Sequence, residues 1–203
     1  MILDLQSLQQ KYNIQFNGVL HIGANAGGEY GAYKHFGITP IIFVEALPHI
    51  FDKLKENVGD ECILFQTALG NQIGEIEIHT EVGSNNGSSS VLSPKIHTTQ
   101  YPHINLTGKT IVPITKVDEL DIPKVNFINI DVQGYELEVF KGSEKYLQNV
   151  DYIMSEVNNA ELYTDCVLVA ELDNYLKNFG FTRVETHWAG GNWGDAFYIK
   201  NNG

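Results

Sequence analysis

A glycine-rich turn between a short apolar run and a helical segment is the first feature of the sequence that could do chemistry. It lies in the stretch VLHIGANAGGEY, residues 19–30. A strand, such a turn and a helix N-terminus together present backbone N–H groups to an anion or a nucleotide. Gly23 and Gly28 match the first and last glycines of the dinucleotide fingerprint G-x-G-x-x-G, but Asn25 replaces the middle one. Because that middle glycine lets a pyrophosphate touch the backbone, the turn disfavours NAD.

A carboxylate at the end of the next apolar run indicates which ligand the turn would hold. Glu45 closes the run IIFVE, about twenty residues after Gly23, where an acid can accept hydrogen bonds from both hydroxyls of a ribose. S-adenosylmethionine (SAM) has a ribose and an amino-acid tail but no phosphate, so it fits the turn and the acid better than NAD does. The alternative for Glu45 is a solvated charge at a strand end.

Three further side chains are candidates for a general base. Asp131 ends the run VNFINID, Glu156 follows YIMS, and His187 lies in FTRVETHW. A carboxylate or an imidazole can remove a proton from a substrate group that lies within hydrogen-bond reach. Each candidate has an alternative: a helix cap for Asp131, a paired buried acid for Glu156, and a surface strand for His187.

Two other segments could contact a substrate. In THWAGGNWGDAF, Trp188 and Trp193 flank glycines and an Asn; tryptophan faces pack on sugar rings, and the alternative is that they cover the sheet edge. The hydroxyls of GSSSV, residues 87–91, either line a pocket or cap a turn. His97 and His103 have the spacing H-x5-H without further ligands, which is a poor metal motif, so we expect no metal site.

The order of apolar runs predicts that these residues meet at one edge of a parallel sheet. Strands and helices alternate as β-α-β-α-β at the start, which is typical of a sheet with helices on both faces, and the last two runs predict an antiparallel pair. Ser, Asn, Gly, Thr and Pro dominate residues 82–110 without periodicity, which indicates a loop over the site. The predicted ranges are an N-terminal helix over 2–12, helices over 48–57, 134–148 and 167–178, strands over 19–22, 41–45, 74–80, 110–115, 125–131 and 151–157, and a strand and turn over 62–70.

Composition limits the class of protein. The chain has 203 residues, a net charge of -12 and only 13 Lys and Arg residues, which suits one domain (1–203) and disfavours nucleic acid or an anionic membrane as partner. No apolar run has the length of a membrane span, and the N-terminus lacks a signal-peptide core. Cys62 and Cys166 have no CxxC neighbour and predict reduced thiols. We therefore expect a cytoplasmic protein.

Six motifs in one order resemble the FkbM-type SAM-dependent methyltransferases. They are VLHIGANAGGEY, IIFVEALP, TALGNQIGEIEIH, GSSSV, ITKVDEL and FINIDVQGYELEVFKGSEKYL. The resemblance runs from about Val19 to Glu156 and is weaker beyond. It implies an α/β class I methyltransferase fold, which is a Rossmann-like three-layer sandwich whose seven-stranded sheet is mostly parallel with one antiparallel strand.

The resemblance also implies roles for individual residues. The methionine half of SAM would lie on the turn, its ribose and adenine near Glu45 and Ala46, and the reacting methyl group near Asp131. The full set of expected cofactor-binding residues is His21, Gly23, Asn25, Gly27, Glu29, Glu45, Ala46, Thr67, Ala68, Ser89 and Asp131.

The sequence departs from the family pattern at three positions. His21 stands where the family usually has an acid, Gln133 where it often has Glu, and Ala46 where it often has Pro. We expect a SAM-dependent O-methyltransferase that acts on a small-molecule acceptor, a hydroxyl of a sugar or of a polyketide-like secondary metabolite. The alternatives are a degenerate methyltransferase fold used for binding, which His21 keeps open, and a nicotinamide-dependent oxidoreductase.

Overall fold

A computed structural model describes residues 3–83, 87–189 and 191–201. Ile2, at the predicted start of the first helix, and residues 84–86 of the predicted loop lie outside the described residues. The elements in chain order are α1 (Leu5–Tyr12), β1 (Val19–Ile22), α2 (Tyr30–His35), β2 (Ile41–Glu45), α3 (Pro48–Val58), β3 (Ile63–Gln66), β4 (Ala68–Leu69), β5 (Gly74–Thr80), α4 (His97–Gln100), β6 (Gly108–Thr115), β7 (Phe127–Ile130), α5 (Glu136–Lys141), β8 (Tyr152–Asn158), α6 (Val169–Lys177), β9 (Phe181–Trp188) and β10 (Trp193–Lys200).

The main sheet has seven strands in the order β3-β2-β1-β7-β8-β10-β9. Strand β10 runs antiparallel to both of its neighbours, and the other pairs are parallel. The predicted sheet with one antiparallel strand is therefore confirmed, as is the antiparallel pair at the end of the chain. The strand order changes direction between β1 and β7, and open α/β sheets bind their ligands at the carboxyl ends of the strands beside such a point.

Alternate residues of the central strands pack into two layers. Leu20 and Ile22 of β1 face the layer that contains α5 and α6. Val19 of the same strand, with Phe43 and Phe127 of its two neighbours, packs against the side that contains α1, α2 and α3. Every residue of β1, β2 and β7 is buried, which is why these strands read as continuous apolar runs in the sequence.

Helix boundaries follow local capping chemistry. Helix α1 begins at Leu5, later than predicted, because the Asp4 side chain accepts a hydrogen bond from the Ser7 N–H at 2.9 Å and caps the helix. Helix α3 begins at Pro48 as predicted, with proline in the first turn where no N–H partner is needed.

The middle of the chain differs from the sequence-based prediction. The strand and turn expected over 62–70 are two strands in two sheets, because β4 leaves the main sheet and pairs with β6, which also pairs with β5. The loop expected over 82–110 contains the short helix α4, a bridge from Ser90 to His79, and the start of β6. Within the described residues, no helix is long and apolar enough to cross a membrane.

The helix expected over 134–148 is interrupted at Gly142. Helix α5 ends at Lys141, and a separate 3-10 turn covers Tyr146–Asn149. The backbone at Gly142 passes so close to the small sheet that an added Cβ would lie 2.0 Å from the carbonyl oxygen of Gly70. Glycine at this position therefore lets α5 pack directly against the segment after β4.

Replacing Gly142 with Ala should destabilise the protein. The added methyl group meets a backbone oxygen that cannot rotate away, so the free energy of unfolding should fall by about 2–3 kcal/mol. Urea unfolding followed by circular dichroism would measure this. Gly31→Ala is the matched control, because a Cβ at Gly31 in α2 meets nothing within 4 Å, and there alanine should stabilise by up to about 1 kcal/mol. Equal effects of the two substitutions would contradict the packing argument.

Candidate active site

Two adjoining cavities open at the carboxyl ends of the central strands. The first, the turn cavity, is lined by the ends of β1, β2 and β7, by residues 67–69 and by residues of the 87–91 segment. The second, the acid cavity, is lined by Asp131, Gln133, Glu156, Asp195, loop residues between 87 and 104, Leu162 and Trp193. Gly87, Asp131 and Gln133 line both cavities. A ligand in one cavity would therefore lie directly beside a ligand in the other.

The glycine-rich turn after β1 forms the floor of the turn cavity. Gly23 has a φ of 77°, and a Cβ there would lie 1.9 Å from the carbonyl oxygen of Asp131. The N–H groups of Gly23 and Ala24 both donate to the carbonyl of Val44, which ties the turn to β2. Asn25 is also left-handed, with a φ of 47°, and its Oδ1 accepts a hydrogen bond from the Ala26 N–H. The turn is thus held in one shape by its neighbours.

Glu45 stands at the wall of the turn cavity as a fixed carboxylate. Its Oε2 accepts a hydrogen bond from the Asn25 N–H at 2.9 Å, and its Oε1 accepts one from the Leu47 N–H at 2.8 Å. Burial raises the pKa of Glu45, and these hydrogen bonds oppose the rise. Each carboxylate oxygen has two acceptor sites, so the backbone hydrogen bonds leave acceptor capacity for a hydroxyl donor.

Asp131 and Glu156 form a carboxyl pair that lines the acid cavity, in which Glu156 is 4% exposed and Asp131 is half-buried. Asp131 follows β7 and Glu156 lies in β8, the neighbouring parallel strand. Burial raises the pKa of Asp131, while hydrogen bonds from Gln133 and Glu156 lower it. Burial and then the charge of Asp131 raise the pKa of Glu156 well above its usual value. Glu156 therefore holds its proton more tightly than an exposed Glu, because burial and the charge of Asp131 both oppose its ionisation.

Gln133 joins the two carboxyl groups. Its Nε2 donates to Asp131 Oδ1 at 2.7 Å and to Glu156 Oε2 at 2.8 Å. Its Oε1 lies 2.9 Å from the hydroxyl of Tyr163. Gln133 and Gly134 both have positive φ values, 54° and 97°, and a non-glycine residue with this backbone often marks a functional site. The sequence reading noted Gln133 only as a departure from the family pattern and did not predict this bridging role.

Glu136 is a further acid that holds the turn after β7. Glu136 is fully buried, and its Oε1 accepts hydrogen bonds from the N–H groups of Val132 and Gly134, each at 3.1 Å. Its other oxygen, Oε2, is buried without a hydrogen-bond partner. Burial raises the pKa of Glu136 to about 7. The sequence predicts Glu136 only as part of the helix over 134–148.

Several expected cofactor-binding residues lie outside the lining of the turn cavity. His21 is 2% exposed and faces the α1–α3 layer, where the Tyr33 hydroxyl lies 3.2 Å from its Nδ1 and Glu29 lies 4.0 Å away. Burial lowers the pKa of His21 to about 4, so the ring is neutral. A Cβ at Gly27 would touch Leu54 and Val58 of α3. The predicted residues that do line the turn cavity are Gly23, Asn25, Glu45, Ala46, Thr67, Ala68, Ser89 and Asp131.

The candidate bases also differ in whether they line a cavity. Glu156 lines the acid cavity with Asp131, whereas His187 is exposed on β9 and lines neither cavity. The histidine that does line the acid cavity is His97, which the sequence reading considered only as a metal ligand. Within the described residues, no group of three or more His, Cys, Asp or Glu side chains could hold a metal ion.

The two tryptophans also have different positions. Trp193 lines the acid cavity, and its Nε1 donates to the hydroxyl of Tyr101 at 2.9 Å. The Gln100 side chain donates to the same hydroxyl, and Asn192 donates to Gln100. These bonds join the turn before β10 to α4. Trp188 is 38% exposed at the edge of the sheet, as the alternative interpretation expected.

The buried Glu136 should make stability depend on pH. Its folded pKa lies above the value of 4.5 for an exposed Glu, so the unfolded chain ionises first as pH rises. The free energy of unfolding should therefore fall between about pH 5 and pH 8, by up to about 3 kcal/mol from this group.

The Glu136→Gln variant, measured by urea unfolding at several pH values, tests that assignment. The slope should be shallower than in the wild type, because the amide does not titrate. Absolute stability also falls, since one amide N–H group is buried without an acceptor, so the slope is the measured quantity. Parallel slopes for the two proteins would assign the pH dependence to other groups.

Comparison with known proteins places this geometry in a family. A family model described as "Methyltransferase FkbM domain" matches residues 21–183. The 2-O-methyltransferase NoeI of Sinorhizobium fredii is 27% identical over 173 residues, which cover 79% of this chain and 71% of that protein. The hexuronic acid methyltransferase AglP of Haloferax volcanii is 30% identical over 117 residues, which cover 56% of this chain and 45% of that protein.

Solved structures agree on the fold. Methyltransferase FkbM from Methylobacillus flagellatus has a TM-score of 0.59 at 13% identity, and the match covers 90% of this chain but 43% of that chain. Magnesium protoporphyrin IX methyltransferase from Synechocystis, solved with bound SAM, has a TM-score of 0.56 at 8% identity, and the match covers 97% of this chain and 76% of that chain. The predicted class I methyltransferase fold is confirmed, and the chain belongs to the FkbM methyltransferase family.

Proposed function

We propose that this chain is a SAM-dependent O-methyltransferase that acts on a hydroxyl of a sugar or a related small molecule. The observation that carries the proposal is the junction of the two cavities at Asp131 and Gln133. A methyl donor in the turn cavity and an acceptor in the acid cavity would meet at the half-buried carboxylate of Asp131. The family and the printed activities of NoeI and AglP support methyl transfer to a sugar.

The residues of the turn cavity fit SAM. Glu45 offers two oriented carboxylate oxygens to the ribose hydroxyls, and Gly23 leaves the floor of the turn free of a side chain. Leu47, Ile78 and Val91 provide an apolar wall that suits the adenine ring. Asn25 at the middle of the turn has its side chain bound to the Ala26 N–H rather than leaving space for a pyrophosphate.

The protein supplies alignment and a base for the transfer. Bound SAM would provide a methyl carbon on a positively charged sulfur, which is a good leaving group. The acid cavity would hold the acceptor hydroxyl beside Asp131, whose ionised carboxylate would take the hydroxyl proton. Glu156 keeps its own proton and donates a hydrogen bond to Asp131, and Gln133 holds both carboxyl groups in place. The negative charge of Asp131 would also favour a cationic methyl donor in the turn cavity, which Asp131 lines.

The proposal includes a small-molecule acceptor and a cytoplasmic location. Cys62 and Cys166 are free thiols, as expected in a reducing compartment. The net charge of -12 makes nucleic acid an unsuitable partner.

Isothermal titration with SAM, its demethylated product S-adenosylhomocysteine and NAD tests the cofactor. We expect dissociation constants on the order of 10 µM for the first two and no binding of NAD. Glu45→Gln should weaken both by about 10- to 100-fold, because the ribose loses a charged acceptor. Glu56→Gln, on the exposed face of α3, is the matched control. Binding of NAD alone would favour the oxidoreductase, and binding of none by folded protein would refute the proposal.

Substitution of each carboxyl group tests which of the two acts as the base. Asp131→Asn should lower kcat by about 100-fold or more at saturating SAM, because the base is lost. Glu156→Gln should lower kcat by less than about tenfold, because a neutral amide can replace a protonated carboxyl as hydrogen-bond donor. In the wild type, kcat should rise with pH through the raised pKa of Asp131. Equal losses of kcat in the two variants would contradict the assignment of Asp131 as the base and Glu156 as its hydrogen-bond donor.

If neither variant methylates any acceptor that the wild type accepts, affinity for S-adenosylhomocysteine separates the explanations. Unchanged affinity in both would place the defect in catalysis and so contradict the unequal roles. Affinity lost in both would show that the pair organises the turn cavity, which the proposed mechanism does not require.

A further inference from the structure

We infer that the acceptor presents an uncharged glycosyl ring to the acid cavity, without a carboxylate or phosphate beside the reacting hydroxyl. This inference rests on the proposed function and specifies its substrate class. It separates this chain from a methyltransferase that acts on a hexuronic acid, the activity printed for AglP.

Carboxyl groups dominate the polar lining of the acid cavity. Asp131, Glu156 and Asp195 all line it, and the last two are 4% and 2% exposed. Asp195 lies opposite Glu156 in the pairing of β10 with β8, so both side chains lie on the same face of the sheet. At least one negative charge, that of Asp131, remains when Glu156 keeps its proton. The cavity is therefore a poor environment for a second anion.

No described lining residue supplies a compensating positive charge. None of the 13 Lys and Arg residues, all of which are described, lines either cavity. Among the described lining residues of the acid cavity, His97 is the one basic side chain. It is 3% exposed, and burial lowers its pKa, so the ring stays neutral. Its Nδ1 is buried without a hydrogen-bond partner. Among the described residues that line the acid cavity, none carries a positive charge with which an acceptor carboxylate could pair.

The same cavity suits the hydroxyls and the C–H face of a sugar. Carboxyl oxygens and the Ser88 segment can accept and donate hydrogen bonds to neutral hydroxyls. The Trp193 indole and the Tyr101 ring line the cavity, and the hydrogen bond between them fixes their relative position. Aromatic side chains bury large apolar area, and a ring of this size can cover the apolar face of a pyranose. The acid cavity thus matches both the hydroxyl groups at the edge of a sugar ring and the apolar face of that ring.

Repulsion between like charges inside the acid cavity should have a large effect on the affinity for an acceptor. A carboxylate on the acceptor ring would be desolvated beside Asp131, where the effective dielectric is low. We expect this to favour a neutral hexoside over its uronate by about 10- to 100-fold in affinity.

The test uses three matched pairs of methyl glycosides with gluco, galacto and manno configuration, each as the hexoside and as the hexosiduronate. Their affinities for protein saturated with S-adenosylhomocysteine are measured by ligand-observed NMR, and methyl transfer from radiolabelled SAM is measured in parallel. In the pair that binds best, the neutral member should bind about 10- to 100-fold more tightly. Equal or tighter binding of the uronate, or binding of no neutral hexoside, would overturn the inference.

Two variants show whether the discrimination comes from this cavity. Asp195→Asn should narrow the preference for the neutral sugar several-fold and leave affinity for S-adenosylhomocysteine unchanged, because Asp195 lies outside the turn cavity. Glu56→Gln removes one charge from the exposed face of α3 and should leave the preference intact. An unchanged preference in Asp195→Asn would contradict the inference.

Failure of this inference can be distinguished from failure of the proposed function. Protein that binds S-adenosylhomocysteine and methylates the uronate better is still a SAM-dependent methyltransferase, and only the acceptor class is then wrong. Protein that is folded but binds no S-adenosylhomocysteine refutes the function itself.

Discussion

Two carboxyl groups that lie side by side on neighbouring strands repel each other when both are ionised, so the fold must supply hydrogen-bond donors to them. Asp131 and Glu156 both accept hydrogen bonds from one amide, that of Gln133. Gln133, whose amide reaches both carboxyl groups, has a left-handed backbone, and so has Gly134 after it. The turn that follows β7 therefore places one amide against both carboxyl groups.

The turn after β7 also positions the loop above the cavities. The hydroxyl of Ser90 donates to the carbonyl of Gln133 at 2.8 Å, and the Tyr163 hydroxyl lies within hydrogen-bond distance of both Gln133 and the Ser88 carbonyl. Glu136 accepts hydrogen bonds from two N–H groups of the turn. Because the 87–91 segment contributes to both cavities, the position of the acid pair also sets the boundary between them.

The sequence predicts the parts of this arrangement that local pattern encodes. Buried parallel strands appear as apolar runs, so the positions of Glu45 and Asp131 at strand ends could be derived without coordinates. The split between β3 and β4 could not, because ILFQ and AL read as one run and their separation depends on pairing with β6, more than forty residues away. The break after α5 depends likewise on contact between Gly142 and Gly70. Asp195 and His97 reach the acid cavity through tertiary packing, for which the sequence has no local signal.

The departure from the family pattern at His21 is best understood from the two-residue period of a strand. Residues 20 and 22 of β1 face one layer, so His21 faces the other, where Tyr33 receives a hydrogen bond from Asn129 and contacts the imidazole. A neutral ring in that polar cluster replaces an acid without placing a new group in the turn cavity. A binding protein that had lost catalysis would be expected to lose the carboxylates that line the cavities. Glu45 and Asp131 remain in place and hydrogen-bonded, so the substitution at His21 is a change in the support of β1, which weakens the case for a degenerate fold.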